Sequence, residues 1–259
     1  MRYTSLSSGS EGNALVVEAG PKDQPFRLMI DCGLGLSEVE SRLAERGLLA
    51  SDLDLLVVTH EHKDHVAGVP RLARAHNLPV VATRGTLAAL GEAFWRGVRC
   101  LQVLPGQDLQ IDSVRLTPLA VPHDAAEPIC VRIQDRSQSM ACLTDLGRAT
   151  DYLRQALSDL DAIFLEFNHD REMLMTGPYP PSLRERVGGG WGHINNEQAA
   201  EFLTQILQPR LQLVTAAHLS QKNNTPELVE QTLSRLALGR CRWTIASQAT
   251  GTPWLELEQ

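Results

Sequence analysis

The sequence contains seven side chains with the types and order of a binding site for two metal ions. They are His60, His62, Asp64, His65, His123, Asp145 and His218. Imidazole nitrogens suit zinc and similar divalent ions, and a carboxylate can hold two ions close enough to share one water. The chemistry that this set predicts is hydrolysis, with the shared water as the nucleophile.

The first four of these side chains fall within six positions, directly after an apolar run. Residues 54–58 have the pattern of a buried strand. Residues two apart share a face of extended chain, so His60 and His62 can point at one ion. Asp64 and His65 follow at the start of a predicted helix and turn toward a second ion. One short loop therefore supplies part of each metal site.

Each of the other three candidates also follows a strand-like run. These runs cover 114–122 before His123, 140–144 before Asp145 and 211–217 before His218. A sheet that aligns several strand ends would gather all three at one edge. Each alone could be an ordinary structural residue, but the repeated position favours a shared role as ligands.

The spacing H-x-H-x-D-H, followed by distant His, Asp and His at strand ends, resembles the metallo-β-lactamase superfamily and, within it, the YycJ/WalJ family. The segments that carry the resemblance are 7–13, 31–33, 59–65, 143–145, 166–170, 192–196 and 217–225. They span nearly the whole chain. The resemblance implies a metal-dependent nuclease, a 5′-to-3′ exonuclease that acts on DNA.

The resemblance also implies a cofactor of two divalent metal ions, zinc or manganese with iron as a further option, and no organic cofactor. One ion is expected on His60, His62 and His123, the other on Asp64, His65 and His218, with Asp145 between them. A hydroxide bridging the two ions would then attack phosphorus. DNA ends are the expected partner, and the sequence does not indicate an oligomeric state.

A proton donor for the leaving group is expected at His193, since imidazole exchanges a proton near neutral pH. Its setting, residues 192–196, is similar to the histidine motif of the RNase Z branch. Glu166 or His169 is expected to orient it, and these three residues with Asp64 form the predicted catalytic set. The alternative for His193 is a helix-capping or structural histidine.

Further polar residues are predicted around the ligands. Asp31 is expected to accept the remaining N–H of a ligand histidine, although it could be a turn residue before Gly33. Candidate phosphate contacts lie in loops rich in glycine or asparagine. They are Ser8, Ser10, Asn13, Lys222, Asn223 and Asn224, flanked by Arg171, Arg184 and Arg186, which could also be ordinary surface charges.

Strand and helix patterns predict an α/β fold, a four-layer αββα sandwich in a single domain over residues 1–259. Strands are predicted at 2–6, 12–18, 26–31, 54–58, 79–82, 114–121, 128–134, 139–144, 161–165, 211–217 and 242–246. Helices are predicted at 37–46, 66–75, 85–92, 148–158, 196–207 and 226–237. Residues 168–192, rich in proline and glycine, are predicted to be an irregular loop, either a lid or a plain connector.

Composition narrows the class of protein. The formal net charge of −7 argues weakly against a broad basic face for nucleic acid, but permits an enzyme that grips a chain end with a local patch. Five widely spaced cysteines without a C-x-x-C pair predict reduced thiols. No apolar run reaches membrane-spanning length, so a cytoplasmic protein without membrane contact is expected.

Four rival functions remain open, because a fold of this kind supports several chemistries. They are a small cyclic-phosphate phosphodiesterase of the PhnP type, an RNase Z-like RNA processor, a thioesterase resembling glyoxalase II, and a non-catalytic, metal-stabilised regulatory module. The segments around His193 and His218 favour phosphodiesters over thioesters. The lack of an RNA-gripping arm disfavours RNase Z, and the complete set of seven ligands disfavours a non-catalytic module.

Overall fold

The computed structural model describes residues 1–258 and contains fourteen strands over that range. They are β1 (Arg2–Ser7), β2 (Ala14–Ala19), β3 (Phe26–Ile30), β4 (Leu55–Val57), β5 (Val80–Thr83), β6 (Cys100–Val103), β7 (Leu109–Ile111), β8 (Val114–Ala120), β9 (Ile129–Gln134), β10 (Ser139–Leu143), β11 (Ala162–Glu166), β12 (Leu213–Ala217), β13 (Arg242–Ile245) and β14 (Leu255–Glu256). They form two seven-stranded sheets. The first has the order β14-β1-β2-β3-β4-β5-β6 and the second β13-β12-β11-β10-β9-β8-β7.

Nine α-helices connect these strands within the described residues. They are α1 (Leu36–Glu45), α2 (Lys63–Val66), α3 (Val69–Ala75), α4 (Arg84–Trp95), α5 (Asp151–Ala156), α6 (Arg171–Thr176), α7 (Pro181–Gly188), α8 (Asn196–Ile206) and α9 (Pro226–Ser234). Helix α8 begins with a reciprocal pair of hydrogen bonds, in which the Asn195 side chain accepts from Gln198 N and the Gln198 side chain accepts from Asn195 N.

The sheets pack face to face because their strands alternate between two apolar surfaces. In β4, Leu55 and Val57 join the core between the sheets, whereas Leu56 faces the helices outside. In β11, Phe164 faces the inter-sheet core and Ile163 faces outward. Successive side chains of a strand point to opposite faces, so each sheet is apolar on both sides.

Helices cover the outer faces of both sheets. Helices α1, α3 and α4 pack on the first sheet, and α5, α8 and α9 pack on the second. The order of layers is therefore helix, sheet, sheet, helix. This confirms the αββα sandwich predicted from the sequence.

The carboxyl ends of several strands meet at one edge of the sandwich. In the first sheet, β3 and β4 are parallel. In the second, β10, β11 and β12 are parallel, and β8 runs in the same direction because β9 is antiparallel to both β8 and β10. Loops that leave these strands therefore come together from both sheets.

Some local predictions differ from the structure. Strands β6, β7 and β14 were not predicted, and the helix expected at 66–75 is observed as α3, which Gly68 separates from the short helix α2 before it. The segment 168–192, predicted to be an irregular loop, contains α6 and α7. All five cysteines are free thiols, as expected. Within residues 1–258, no helix combines the length and apolar character needed to cross a membrane.

Candidate metal centre

Three histidines gather at the point where the two sheets meet. His60 follows β4, His62 precedes α2, and His123 follows β8. One ring nitrogen from each lies within 4.8 Å of the others. His62 uses Nδ1, which is 3.2 Å from Nε2 of His123, while its Nε2 lies 3.2 Å from the carbonyl oxygen of Asp124. The three nitrogens form a face that can hold one cation.

A second triad lies beside the first. It consists of Asp64 and His65 of α2 together with His218, which follows β12. Oδ2 of Asp64 is 3.3 Å from Nε2 of His65 and 3.5 Å from Nε2 of His218. This mixed carboxylate and imidazole set also suits a divalent ion.

Asp145 lies between the two triads. Its Oδ1 is 3.6 Å from Nε2 of His123 and 3.6 Å from Nε2 of His218, and its Oδ2 is 3.2 Å from Nε2 of His65. The carboxylate therefore faces members of both groups. All seven residues predicted as ligands come together in this arrangement.

The donor atoms fit a pair of cations. Nε2 of His60 and Nε2 of His218 are buried and make no hydrogen bond within residues 1–258. A buried polar atom without a partner is costly, and an ion that is not part of the structure is one of its ordinary explanations. Both nitrogens point into the cluster that contains Asp145, at 4.0 Å and 3.6 Å from its Oδ1.

Hydrogen bonds on the far side of the rings fix which nitrogen faces the cluster. Nδ1 of His65 donates to Oδ2 of Asp31 at 2.7 Å, which is the contact expected for Asp31. Asp31 also accepts from N and Oγ1 of Thr59. Nδ1 of His123 donates to the carbonyl oxygen of Gly192 at 3.0 Å. Such outer contacts set the tautomer and the ring orientation of a metal ligand.

Glu166 holds two histidines at once. It is the last residue of β11 and is fully buried. Its Oε1 accepts from Nδ1 of His193 at 2.8 Å and from Nδ1 of His218 at 3.0 Å, and its Oε2 accepts from the backbone N–H of Leu146 at 3.0 Å. Burial acts to raise the pKa of this carboxyl, but the two histidines outweigh burial and lower the pKa to about 2.

The pKa values of the histidines in the cluster are shifted in opposite directions. Burial, reinforced by His65, lowers the pKa of His60, and burial also lowers the pKa of His123. Burial opposes charge at His218 too, but the nearby carboxylates of Asp145, Asp64 and Glu166 raise the pKa of His218 to about 10. Negative charge thus concentrates between the rings, which suits the binding of cations.

The backbone turns sharply where the strands deliver these side chains. Asp31, Asp145 and His218 have φ values of 59°, 58° and 56°, in the left-handed region that non-glycine residues rarely adopt. Each immediately follows, or is two residues beyond, the end of its strand. Strain of this kind costs about 1–3 kcal/mol per residue and is concentrated at functional sites.

His193 lies at the opening of the cluster and His169 does not. The side chain of His193 is 19% exposed, and Glu166 rather than His169 holds its Nδ1. Nδ1 of His169 instead lies 3.3 Å from Oδ1 of Asn168, and burial lowers the pKa of His169 to about 4. The structure therefore does not support His169 as the residue that orients His193.

The predicted phosphate contacts fall into two groups. Asn13 lies beside the second triad, with Nδ2 3.3 Å from Oδ2 of Asp64, and Ser10 and Lys222 are exposed. Three others have internal partners. Oγ of Ser8 accepts from N of His218, Nδ2 of Asn223 contacts Oγ of Ser220, and Nδ2 of Asn224 donates to the carbonyl oxygen of Phe167. Buried and paired in this way, these three side chains stabilise the loops that carry them, and their contact with phosphate stays a prediction.

Two neighbours of the cluster were not predicted. Oδ1 of Asp124 is 3.4 Å from Nε2 of His123, and its Oδ2 accepts from Nε of Arg186 at 2.6 Å. Nδ2 of Asn168 donates to the carbonyl oxygen of His218 at 3.1 Å. The signals available in the sequence were the position of Asp124 directly after a candidate ligand and that of Asn168 inside the segment 166–170.

The chain is similar to known proteins over most of its length. A family model described as "Beta-lactamase superfamily domain" matches residues 26–215. Exodeoxyribonuclease WalJ of Streptococcus pneumoniae is 33% identical over 236 residues, which cover 90% of this chain and 86% of that protein. Exodeoxyribonuclease YycJ of Bacillus anthracis is 31% identical over 238 residues, covering 91% and 89%.

A solved structure shares the fold. Zn²⁺-bound PqqB from Methylobacterium extorquens superimposes with a TM-score of 0.73 at 18% identity, covering 99% of this chain and 100% of that one. At this level of identity the likeness concerns the arrangement of sheets and helices, which agrees with the four layers described above.

Proposed function

Because the chain belongs to the metallo-β-lactamase superfamily and, within it, to the YycJ/WalJ family, we propose that it is a metal-dependent hydrolase of phosphodiester bonds that degrades DNA from its 5′ ends. The observation that carries the proposal is the position of Asp145 between two complete ligand triads. The names of the relatives, both exodeoxyribonucleases, support DNA as the substrate.

The proposed ligands are the seven residues described above, with His60, His62 and His123 holding one ion and Asp64, His65 and His218 the other. Two divalent ions, zinc or manganese with iron as a further option, would activate water and neutralise charge on the phosphoryl oxygens. Asp145 is proposed to contact both. Asp31 is proposed to keep His65 in the tautomer whose Nε2 faces the centre.

His193 is proposed to deliver the proton to the leaving oxygen. Glu166 fixes its Nδ1, so Nε2 is the atom left to meet the substrate. Burial acts to lower the pKa of His193, but the carboxylate of Glu166 raises it, which keeps the imidazole protonated closer to neutral pH. Glu166 therefore acts as a positioning residue and His193 as the acid.

The small exposed area of the centre supports a substrate that enters as the end of a strand. The side chains of His62, Asp64 and His193 are 29%, 24% and 19% exposed, whereas those of His60 and His123 are 1% exposed. The opening is therefore bordered by three residues, and the rest of the centre lies below it. Since the ligands come from both sheets, we propose that the 259 residues act as one catalytic domain.

The cytoplasm is the compartment that we propose, on the support of the five free thiols. Reduced cysteines in the core are typical of proteins kept in a reducing environment. Fractionation of cells that express the full chain would test this assignment directly.

The function is tested with protein reconstituted with zinc or manganese. It is offered 5′-labelled duplex DNA, single-stranded DNA, RNA and bis-p-nitrophenyl phosphate side by side. We expect release of short products from the 5′ ends of DNA. Asp145→Asn should abolish this release and lower the bound metal measured by elemental analysis, because the residue faces both triads. Cleavage of the small diester alone would defeat the exonuclease proposal.

Asp151→Asn serves as the matched control for this experiment. Asp151 is a fully exposed carboxylate at the start of α5, and its ion pair with Arg154 lies on the surface. The same chemical change there should leave metal content and activity as in the wild type. A similar loss in both variants would mean that the effect of Asp145→Asn is not specific to the centre.

A further inference from the structure

Trp191 is an exposed aromatic side chain two residues before His193. Its relative exposure is 58%, which is unusual for a residue of this size. The chain has four tryptophans, and two of the others donate their indole N–H to backbone carbonyls, Trp95 to Leu87 and Trp254 to Arg46. Trp191 thus presents a large apolar surface to solvent instead of packing in the core.

The position of Trp191 ties it to the centre through its neighbours in the chain. The next residue, Gly192, accepts from Nδ1 of His123, and the one after it is His193. Two residues span at most about 7 Å of chain, so the backbone of Trp191 lies close to that of His193 at the opening. The ring of His193 in turn stacks near that of His218, with centroids 5.5 Å apart.

The backbone that carries Trp191 is held firmly. A Cβ added to Gly147 would lie 2.5 Å from the carbonyl oxygen of Gly190 and 2.6 Å from Cα of Trp191, so the two segments touch backbone to backbone. On the other side, N of His193 donates to the carbonyl oxygen of Val187 at 2.8 Å. The indole therefore projects from a fixed support, which lowers the entropy lost when a ligand stacks on it.

The guanidinium group of Arg148 lies beside the ring of Trp191. The guanidinium carbon of Arg148 lies 5.3 Å from the centroid of the Trp191 ring, within the range of a cation–π contact. Arg148 is itself exposed and follows the candidate ligand Asp145 by three residues. An aromatic face next to an exposed guanidinium matches the two parts of a nucleotide, a base that stacks and a phosphate that attracts positive charge.

We propose that Trp191 is a stacking platform for a base of the nucleic-acid strand near the scissile phosphodiester, with Arg148 contacting an adjacent phosphate. The inference rests on the proposed function and adds a binding element to it. Stacking on an indole accepts every base, so this element provides affinity and register along the strand without sequence preference. A protein partner would need a wider apolar patch than this single ring with its charged neighbour.

The proposal is tested by pairing changes in the enzyme with changes in the substrate. The substrates are a short single strand and the same strand with abasic residues in place of its first nucleotides. For the intact strand, Trp191→Ala should raise KM about tenfold, whereas Trp191→Phe, which keeps an aromatic face, should retain most of the affinity. The rise in KM caused by Trp191→Ala should be smaller on the abasic strand, because that strand lacks the base that would stack on the indole.

A second readout does not depend on catalysis. When the strand is titrated into metal-loaded protein that carries His193→Ala, whose turnover is expected to be slow, the tryptophan fluorescence should be quenched, and the further change Trp191→Phe should remove that part of the signal. Tyr152→Ala is the matched control, since Tyr152 is an exposed aromatic residue on α5 with 47% exposure. It should bind and cleave like the wild type.

The outcomes separate the two proposals. If wild type degrades DNA and Trp191→Ala binds the strand equally well, or weakens intact and abasic strands by the same factor, the stacking platform is wrong and the function stands. If the wild type neither binds nor cleaves any nucleic acid, both proposals fall.

Discussion

The histidines of this chain separate cleanly by environment. Six of the eight lie in the cluster, whereas His169 pairs with Asn168, and His76 lies on the surface and pairs with Glu40 at 2.9 Å. Within the cluster, His193 combines a bond from its Nδ1 to Glu166 with a ring that is 19% exposed at the opening. A residue with this position can take part in proton transfer without holding an ion.

From this position of His193 we predict how His193→Ala changes turnover and metal content. We expect turnover of DNA to fall about 100-fold or more, because a positioned general acid contributes on that scale, while metal content stays at the wild-type level. The measurements are kcat and elemental analysis on the same preparation. His76→Ala is the matched control and should change neither. Loss of metal from His193→Ala would instead place this histidine among the ligands.

At the residue scale, the sequence predicted that the seven candidate ligands would lie together, because histidine or aspartate follows the end of one apolar strand after another. The roles of the asparagine side chains could not be predicted from the sequence. Asn13 lies against Asp64, yet Asn224 is used internally by Phe167 and Asn196, and nothing in the sequence distinguishes them. Amides serve equally well in loops and in binding sites, so their roles depend on tertiary contacts.

At the scale of elements, periodicity predicted the central strands and the edge strand β13, but not the other three edge strands, β6, β7 and β14. Strands such as β4 and β11 alternate between two apolar surfaces, and that pattern is visible in the sequence. The edge-side strand β6 has two exposed residues, Leu101 and Gln102, and β7 has three residues, so neither carries a clear pattern. Helix α2 was not predicted as separate from α3, because the break at Gly68 depends on a close tertiary contact.

Another glycine, Gly33, also allows a close backbone contact, and replacing it tests how α2 is positioned. A Cβ at Gly33 would overlap the backbone carbonyl of Asp64, which belongs to α2 and also accepts from N of Asn13 at 2.8 Å. Backbone cannot move aside cheaply, so Gly33→Ala should displace α2 and with it two candidate ligands. We expect weaker metal binding, measured by titration with a chromophoric chelator, and a loss of stability of about 1–3 kcal/mol in urea unfolding.

Gly35→Ala provides the control two residues away. Gly35 has φ of −68° and ψ of 155°, a conformation open to any residue, and a Cβ there meets nothing within 4 Å. This variant should match the wild type in metal affinity and stability. Equal effects at both positions would mean that backbone entropy, rather than the approach of α2, determines the response.

On the scale of the whole molecule, the cluster joins the two sheets. His60 and Asp31 come from strand ends of the first sheet, while His123, Asp145 and His218 come from the second. The sheets also meet directly, through the inter-sheet core and the bond of 2.9 Å between the hydroxyls of Tyr3 and Thr215. Neither half could hold the complete ligand set, which explains why the sequence spreads it over more than 150 residues.

Metal binding should therefore stabilise the entire fold. A ligand that binds the folded state alone adds about 2.7 kcal/mol when its concentration is 100 times its Kd, which corresponds to a rise in Tm of roughly 5–10 °C. We expect this rise on adding zinc or manganese to chelated protein, and a smaller rise at acidic pH, where protons compete for the imidazoles. Asp145→Asn should remove most of it, because the substitution weakens both triads together, whereas Asp151→Asn should keep it. A Tm that does not respond to either ion in the wild type would contradict a metal centre shared between the sheets.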